Sequence, residues 1–316
     1  MDTTTPPDPT RPHPVRNDVP RPGRELLVLR HHGLRAGGHE PFYRFSRDEY
    51  WPYFERLGAR VVGQWKVVAP EAAVAPDTDD VYRLVRYASY EHWEATRKDR
   101  AFARLGGNGP AWVRGQQALA DRAGLQTGTR GAHFLEGCTY DNPPLHMPAL
   151  DERYEPAAEG EALEPDAPVP VRVDGARPGD EVVALVTRRI ARGGFDEVRA
   201  ATVEGDWPWA ARLGARPIGV WRVVHPGAPT MTPASAGHDE VVSMVRYASR
   251  AHFDAMHGEG ALRLGGDGPD WHAHLAARRA VERLTLAVKV ELVQGFLYAS
   301  PPTHLPTLDE RYRRIA

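Results

Sequence analysis

The chain carries the same ordered set of segments twice, and no other feature limits its fold as much. Trp51-Pro52 followed by Arg56-Leu57-Gly58-Ala59-Arg60 returns as Trp207-Pro208 followed by Arg212-Leu213-Gly214-Ala215-Arg216. The run from Val85 to Ser89 returns from Val245 to Ser249, the run from Arg104 to Pro110 from Arg263 to Pro269, and the run from Leu150 to Tyr154 from Leu308 to Tyr312. The offsets between matched segments are 156, 160, 159 and 158, so order is kept and only loops change length. Two matched halves on one chain can close against each other the surfaces that a homodimer closes between subunits.

The 316 residues suit two domains of ordinary size, and 41% hydrophobic with 26% charged residues describes a globular chain. A net charge of −2 gives no global electrostatic case for a nucleic-acid partner. The single cysteine, Cys138, excludes an intrachain disulfide and suits a reducing compartment. No apolar run reaches membrane-spanning length, so no membrane partner is expected. The N-terminus has no apolar segment of a secretory signal, so a cytoplasmic location is expected. Residues 1–23, with prolines at Pro6, Pro7, Pro9, Pro12, Pro14, Pro20 and Pro22, bury too little to offset their ordering entropy and are expected to be disordered. The Pro-, Glu- and Ala-rich stretch 155–179 reads as a linker between domains at 24–154 and 180–316.

Apolar periodicity predicts strands over 25–30, 60–68, 80–88 and 129–140 in the first half, and near 181–187, 216–224, 240–248 and 288–298 in the second. Ser46 with Glu49 resembles a capping box opening a helix that runs to Gly58. Ser89 caps a helix running past Trp93, and Pro110 opens another. The order is β-α-β-β-α-β, twice, the ferredoxin-like order of an antiparallel sheet with helices on one face. An apolar second face needs cover, and the other half supplies it. The expectation is an α+β fold in which two ferredoxin-like domains pack their sheets as an intramolecular pseudo-dimeric α/β barrel. Further homo-oligomerisation is left open.

Gly63-Gln64-Trp65 (Gly219-Val220-Trp221 in the second half), the strand ending Arg86-Tyr87-Ala88-Ser89, the His-aromatic pair early in the next helix and the helix-start Trp112 or Trp271 together resemble the NIPSNAP family of the dimeric α/β-barrel superfamily, in tandem, over roughly 24–154 and 180–316. The resemblance implies fold more than function. NIPSNAP-like domains share no single activity, and the superfamily includes cofactor-independent quinone-forming monooxygenases, haem enzymes, isomerases and small-ligand binders.

Arg86-Tyr87 has a chemical reading, Arg as anion anchor and Tyr as proton donor or orienter. Its recurrence as Arg246-Tyr247 equally suits a shared fold determinant. Trp65 reads as a pocket wall or a core indole. His92 stands in the first turn after Ser89, where the helix N-terminus favours a neutral imidazole able to act as base, or simply to cap. Residues found in one half only escape the shared-fold explanation. Arg30-His31-His32 stands against Val186-Thr187-Arg188, Arg83 against Ser243, and His133, Glu136 and Cys138 against Glu291, Gln294 and Phe296. They suggest one specialised pocket in half one, with His31, His32 or His133 as acid/base and Trp65, Arg83, Trp93, Trp112 and Glu136 around the substrate. Strand periodicity puts His133 and Glu136 on opposite faces. His146 and His304 read as tail-docking residues. No metal motif is present, and the Gly106-Gly107 turn lacks the Lys of a P-loop.

These residues lead to an expected cofactor-independent enzyme of monooxygenase, isomerase or cyclase type. It acts on a hydrophobic aromatic or polyketide-like small molecule, in secondary metabolism, by proton abstraction with Arg holding the anion. The alternatives are a non-enzymatic small-ligand or protein-interaction module, and a haem enzyme. Two pockets of equal character favour the binder; one elaborated pocket favours the enzyme.

Overall fold

The structure, a computed structural model, describes residues 26–51, 59–74, 76–87, 89–96, 110–139, 153–156, 181–213, 215–225, 237–257, 268–297 and 312–315. Half one runs β1 (Leu26–Arg35), α1 (His39–Phe45) continued by a π-helical turn over Ser46–Tyr50, β2 (Arg60–Ala69), β3 (Thr78–Tyr87), α2 (Tyr90–Ala95), α3 (Pro110–Leu125), β4 (Gln126–Thr139) and β5 (Arg153–Pro156). Half two runs β6 (Val182–Ala191), α4 (Phe195–Ala200) continued by a π-helical turn over Ala201–Asp206, α5 (Trp207–Arg212), β7 (Arg216–Val224), β8 (His238–Tyr247), α6 (Arg250–His257), α7 (Pro269–Leu284), β9 (Thr285–Leu297) and β10 (Tyr312–Ile315). Each half has the ferredoxin-like order.

Eight strands close into one antiparallel barrel in the order β1-β3-β2-β9-β6-β8-β7-β4. The halves meet edge to edge at two seams, β2 with β9 and β4 with β7. Alternation along each strand sends one set of side chains inward and the other out to the helices. Inward residues from all eight strands fill the barrel, among them Leu27, Leu84, Trp65, Leu135, Leu185, Trp221, Met244 and Val293. Outward residues of half one, such as Leu26, Val28 and Val85, pack on Tyr43, Trp51 and Ala118 of the helical layer. In half two, Val182 and Ala184 pack on Trp209, Leu213 and Met256. The closing segments of the two halves also join, as β5 pairs with β10, Tyr154 opposite Arg314. This strand falls across the domain border expected at residue 154.

Three sequence readings change. β1 continues to Arg35, so His31 and His32 lie mid-strand rather than at its end. Ser46 does not cap a helix; α1 has already begun at His39, and the Ser46 hydroxyl donates to the Phe42 carbonyl at 2.6 Å. For α1 the cap comes from far along the chain, since the His39 amide donates to Asp79 at 3.0 Å; in half two Asp239 instead accepts from the Gly193 amide, in the turn before α4, at 2.8 Å. A local pattern could not show a capping residue on another strand. The barrel also needs more than face-to-face packing, because hydrogen-bonded edges close it. The 1–23 tail, residues 157–179, the Gly106-Gly107 turn, His146 and His304 lie outside the described residues.

Each seam sets a tryptophan of one half opposite a glycine of the other, Trp65 against Gly295 and Trp221 against Gly137. A Cβ on Gly295 would stand 2.3 Å from the Gln64 carbonyl, and one on Gly137 2.4 Å from the Val220 carbonyl. Backbone cannot yield as a flexible side chain does. Gly295→Ala and Gly137→Ala are each expected to cost about 1–3 kcal/mol, as overpacking does, and to add in the double variant because the seams are separate. Urea unfolding measures this; unchanged midpoints would refute the close-approach requirement.

Candidate functional site

Of the five residues read as catalytic, the four whose side chains are described do not all lie on one side of the sheet. His31 points into the barrel, stacked on Tyr82 with ring centroids 4.4 Å apart and 3.6 Å from Asp80, which Arg130 holds at 3.1 Å. Burial lowers its pKa, against the nearby Asp80. Tyr82 in turn donates to Glu291 of half two at 3.0 Å, and Lys289 lies 2.9 Å from the same carboxylate. His133, opposite Leu29, also faces inward, its pKa lowered by burial. Arg86 is buried inward beside Leu27, whereas Tyr87 lies in the outer core with Leu26 and Val28. Adjacent strand residues point to opposite sides, so Arg86 and Tyr87 cannot serve one substrate.

The remaining candidates divide likewise. Trp65 is an inner-core indole. Glu136 lies on the outer face, 3.6 Å from Arg222. Trp93 packs edge-on to Phe134 at 4.6 Å in the outer layer. The side chains of His92, Trp112 and Cys138 lie outside the described residues. The half-two match of His92 is structural. His252 accepts from the Ala248 amide at 3.1 Å and donates to the Leu213 carbonyl at 2.8 Å, which occupies both ring nitrogens.

What does come together is a polar band on the outer face of half one. Arg30, Arg83 and Gln64 stand in one row across β1, β3 and β2, and His32 occupies the adjoining row. Arg122 of α3 stands near Arg30 and His32, its guanidinium 4.3 Å from the Phe42 ring and 4.7 Å from that of Tyr50. The band splits the outer core, with Val28 and Val85 in one apolar cluster and Leu34, Phe42 and Val81 in another. Gln64 is 0% exposed and His32 4%. Both ring nitrogens of His32, both amide atoms of Gln64 and Nε of Arg122 have no hydrogen-bond partner among the described residues. Burial first, then Arg83, Arg122 and Arg30, pushes the His32 pKa down to about 2. Burial pushes Arg122 down to about 10, so it stays cationic at neutral pH.

Such a band is donor-rich, desolvated and walled by aromatic rings, and it suits an anion carried on a flat apolar body. In half two the matching positions are Val186, Ser243, Val220 and Val281 in place of Arg30, Arg83, Gln64 and Arg122. Arg188 replaces His32 and donates to Ser243 at 3.3 Å. Sequence reading reached His32 and Arg83 by contrast between halves. It passed over Gln64 and Arg122, although the same contrast, Gln64 against Val220 and Arg122 against Val281, marks them. Among the described residues, no group of three His, Cys, Asp or Glu side chains is placed to hold a metal ion, and no helix is long and apolar enough to cross a membrane.

Fold and site thus define an α+β protein with an eight-stranded antiparallel barrel and an outer helical layer whose polar groups differ between the halves. No protein-family model and no curated protein matches the chain. Among solved structures, a provisionally named monooxygenase from Lactobacillus acidophilus NCFM overlays with a TM-score of 0.47 at 8% identity, over 92% of this chain and 99% of that one. An anthrone oxidase-like protein overlays with a TM-score of 0.44 at 13% identity, over 92% and 93%. A provisionally named monooxygenase from Fusobacterium nucleatum overlays with a TM-score of 0.45 at 7% identity, over 89% and 100%. Likeness at this level assigns neither reaction nor substrate.

The buried His32 has a consequence for acid stability. Folded, it stays neutral down to pH about 2; unfolded, it takes up a proton near pH 6.5. Between these values the unfolded chain holds the extra proton, so the contribution is complete above the unfolded pKa and is lost as pH falls. His32→Gln is expected to flatten the fall in stability between pH 6 and 4 by about 1.4 kcal/mol per pH unit. Urea midpoints across that range test it; parallel profiles for the two proteins would contradict a buried neutral imidazole.

Proposed function

We propose that the chain is a cofactor-independent enzyme of the dimeric α/β-barrel superfamily, a tandem NIPSNAP-like protein whose two halves form a pseudo-dimer. It is of monooxygenase, isomerase or cyclase type. Its substrate is an acidic aromatic or polyketide-like small molecule, held as its anion in the outer layer of half one and drawn from secondary metabolism in a reducing cytoplasm. One observation carries this reading: His32, near Arg122, and Gln64, in the adjoining row of the sheet, are fully buried with polar atoms that have no partner among the described residues. Leaving such groups unpaired costs about 1–3 kcal/mol each. A bound phenolate or enolate supplies the missing acceptor for Arg122 and the Gln64 amide, and a neighbouring substrate hydroxyl donates to neutral His32. Arg83 adds a second cation on the strand floor.

The cations that depress His32 also lower the pKa of a bound phenol, so the substrate binds as its anion and its proton leaves to solvent. The resulting electron-rich anion is the species on which oxygen or rearrangement chemistry proceeds, without a cofactor. His32, held neutral by the same cations, orients the substrate and does not take its proton. The inequality of the halves favours an enzyme over a binding module, since a plain binder has no need of one cationic band and one with valines.

Titration of the full chain with 2-naphthol against 2-methoxynaphthalene tests the reading. The naphthol is expected to bind with the absorption of its anion, and the ether to bind at least about tenfold more weakly, as loss of a charge-assisted hydrogen bond implies. Gln64→Val and Arg122→Val, which install the residues half two already tolerates, should each weaken naphthol binding about tenfold or more. Equal affinity for the two probes, or no effect of either variant, overturns it.

A further inference from the structure

Half two holds a different group of ionisable side chains in its own outer layer. Asp206, the last residue of the π-helical turn after α4, lies 2.7 Å from Nδ1 of His274 on α7. A carboxylate accepts, so Nδ1 carries the proton and Nε2 is left with its lone pair. The His274 side chain is 11% exposed and that of Asp206 36%, so solvent reaches the pair. Trp271 and Trp209 stack beside the imidazole, at 5.4 and 5.8 Å between ring centroids. Arg188 and Tyr247, both on the strand floor, feel the charge of the same Asp206. The Tyr247 hydroxyl is 3.5 Å from Nε2 of His257, whose Nδ1 donates to the Phe253 carbonyl.

A staple between two helical segments is the plain explanation of an Asp–His pair, and half one argues against it. The matching residues there are Tyr50 and Gly115, and half one builds the same elements without the pair. The helices of half two are already held by close approach, since a Cβ on Gly205 would stand 2.6 Å from that of Ala277. Asp206, His274, Arg188, Ser243 and His257 are all absent from the corresponding positions of half one. An imidazole oriented by a carboxylate, with its second nitrogen open and aromatic walls beside it, is the arrangement of a general base.

We propose that half two carries a second site, a proton-transfer centre in which His274, oriented by Asp206, deprotonates a flat aromatic carbonyl compound at an enolisable carbon. The C–H bond breaks, the proton passes to His274 Nε2, and the electron pair stays on the substrate as the enolate, which faces Arg188. Asp206 stabilises the imidazolium. Return of the proton to the same carbon exchanges it, and return to another position of the conjugated system isomerises the compound; neither needs a co-reactant. The site is independent of the anion band in half one.

The test is deuterium incorporation into 2-tetralone by the full chain in D2O, followed by proton NMR. Exchange is expected to exceed that in buffer, to fall about 100-fold or more in His274→Gly as loss of a general base does, and to return on adding imidazole. Half one already places Gly at the matching position, so the variant is expected to fold. Asp206→Asn should lower the rate while leaving the fold intact by circular dichroism. The loss in His274→Gly and its recovery with imidazole should be the same in a Gln64→Val/Arg122→Val background, which separates this site from the one in half one. Exchange by the native chain no faster than by His274→Gly, or a His274→Gly rate that imidazole does not restore, overturns the proposal.

Discussion

The reciprocal placement of an indole against a glycine at each seam is the constraint from which the rest of the structure follows. Trp65 of half one crosses to Gly295 of half two, and Trp221 of half two crosses to Gly137 of half one. Where the bare backbones approach, no Cβ fits, and the buried indoles then fill the space inside. Two ferredoxin-like sheets would each expose an apolar face if left alone. With the seams closed they share one interior, to which both halves contribute.

Filling the barrel from within leaves little of its middle to polar groups. Tryptophan, leucine, valine and methionine side chains occupy it, and among its inward polar groups His31, Asp80, Tyr82 and Glu291 are engaged with one another across the two halves. The outer layer of each half, between strand faces and helices, carries further polar groups. There half one has a polar band between two apolar clusters, whereas Val220 and Val281 at the matching positions of half two belong to an apolar cluster themselves. In half one the band is cationic and amidic; in half two it is valine-rich on β7 and α7, with Arg188 and Ser243 on the floor.

The repeat made the element order and the strand faces legible, because matched segments at nearly constant offset leave little freedom in topology. Alternation along 80–88 separates Arg83 and Tyr87 from Arg86 on the page as it does in the barrel. The start of α1 was not legible, because Asp79 caps it from a strand forty residues away. The pairing of Arg122 with Phe42 and Tyr50 was hidden for a related reason: it depends on how α3 lies across α1, which no single-segment pattern encodes. Comparing the halves residue by residue was the sound instrument. It located His32 and Arg83, and applied to the helices it also separates Tyr50 from Asp206 and Gly115 from His274.

Those two exchanges show how one scaffold comes to hold two different layers. In half one a large Tyr50 on the π-helical turn faces a helix that has Gly115, and the tyrosine ring lies under Arg122. In half two the matching positions hold Asp206 on the turn and His274 on the helix, 2.7 Å apart. The space between turn and helix thus takes one aromatic ring in half one and a hydrogen-bonded pair in half two. A tyrosine filling it supports a cation above the strands; a histidine filling it brings an imidazole to a carboxylate. Because each half keeps its seams and its caps while this space changes, the polar groups of one layer can alter without disturbing the other. A barrel whose two halves share one packed interior therefore carries unlike polar groups on their outer layers.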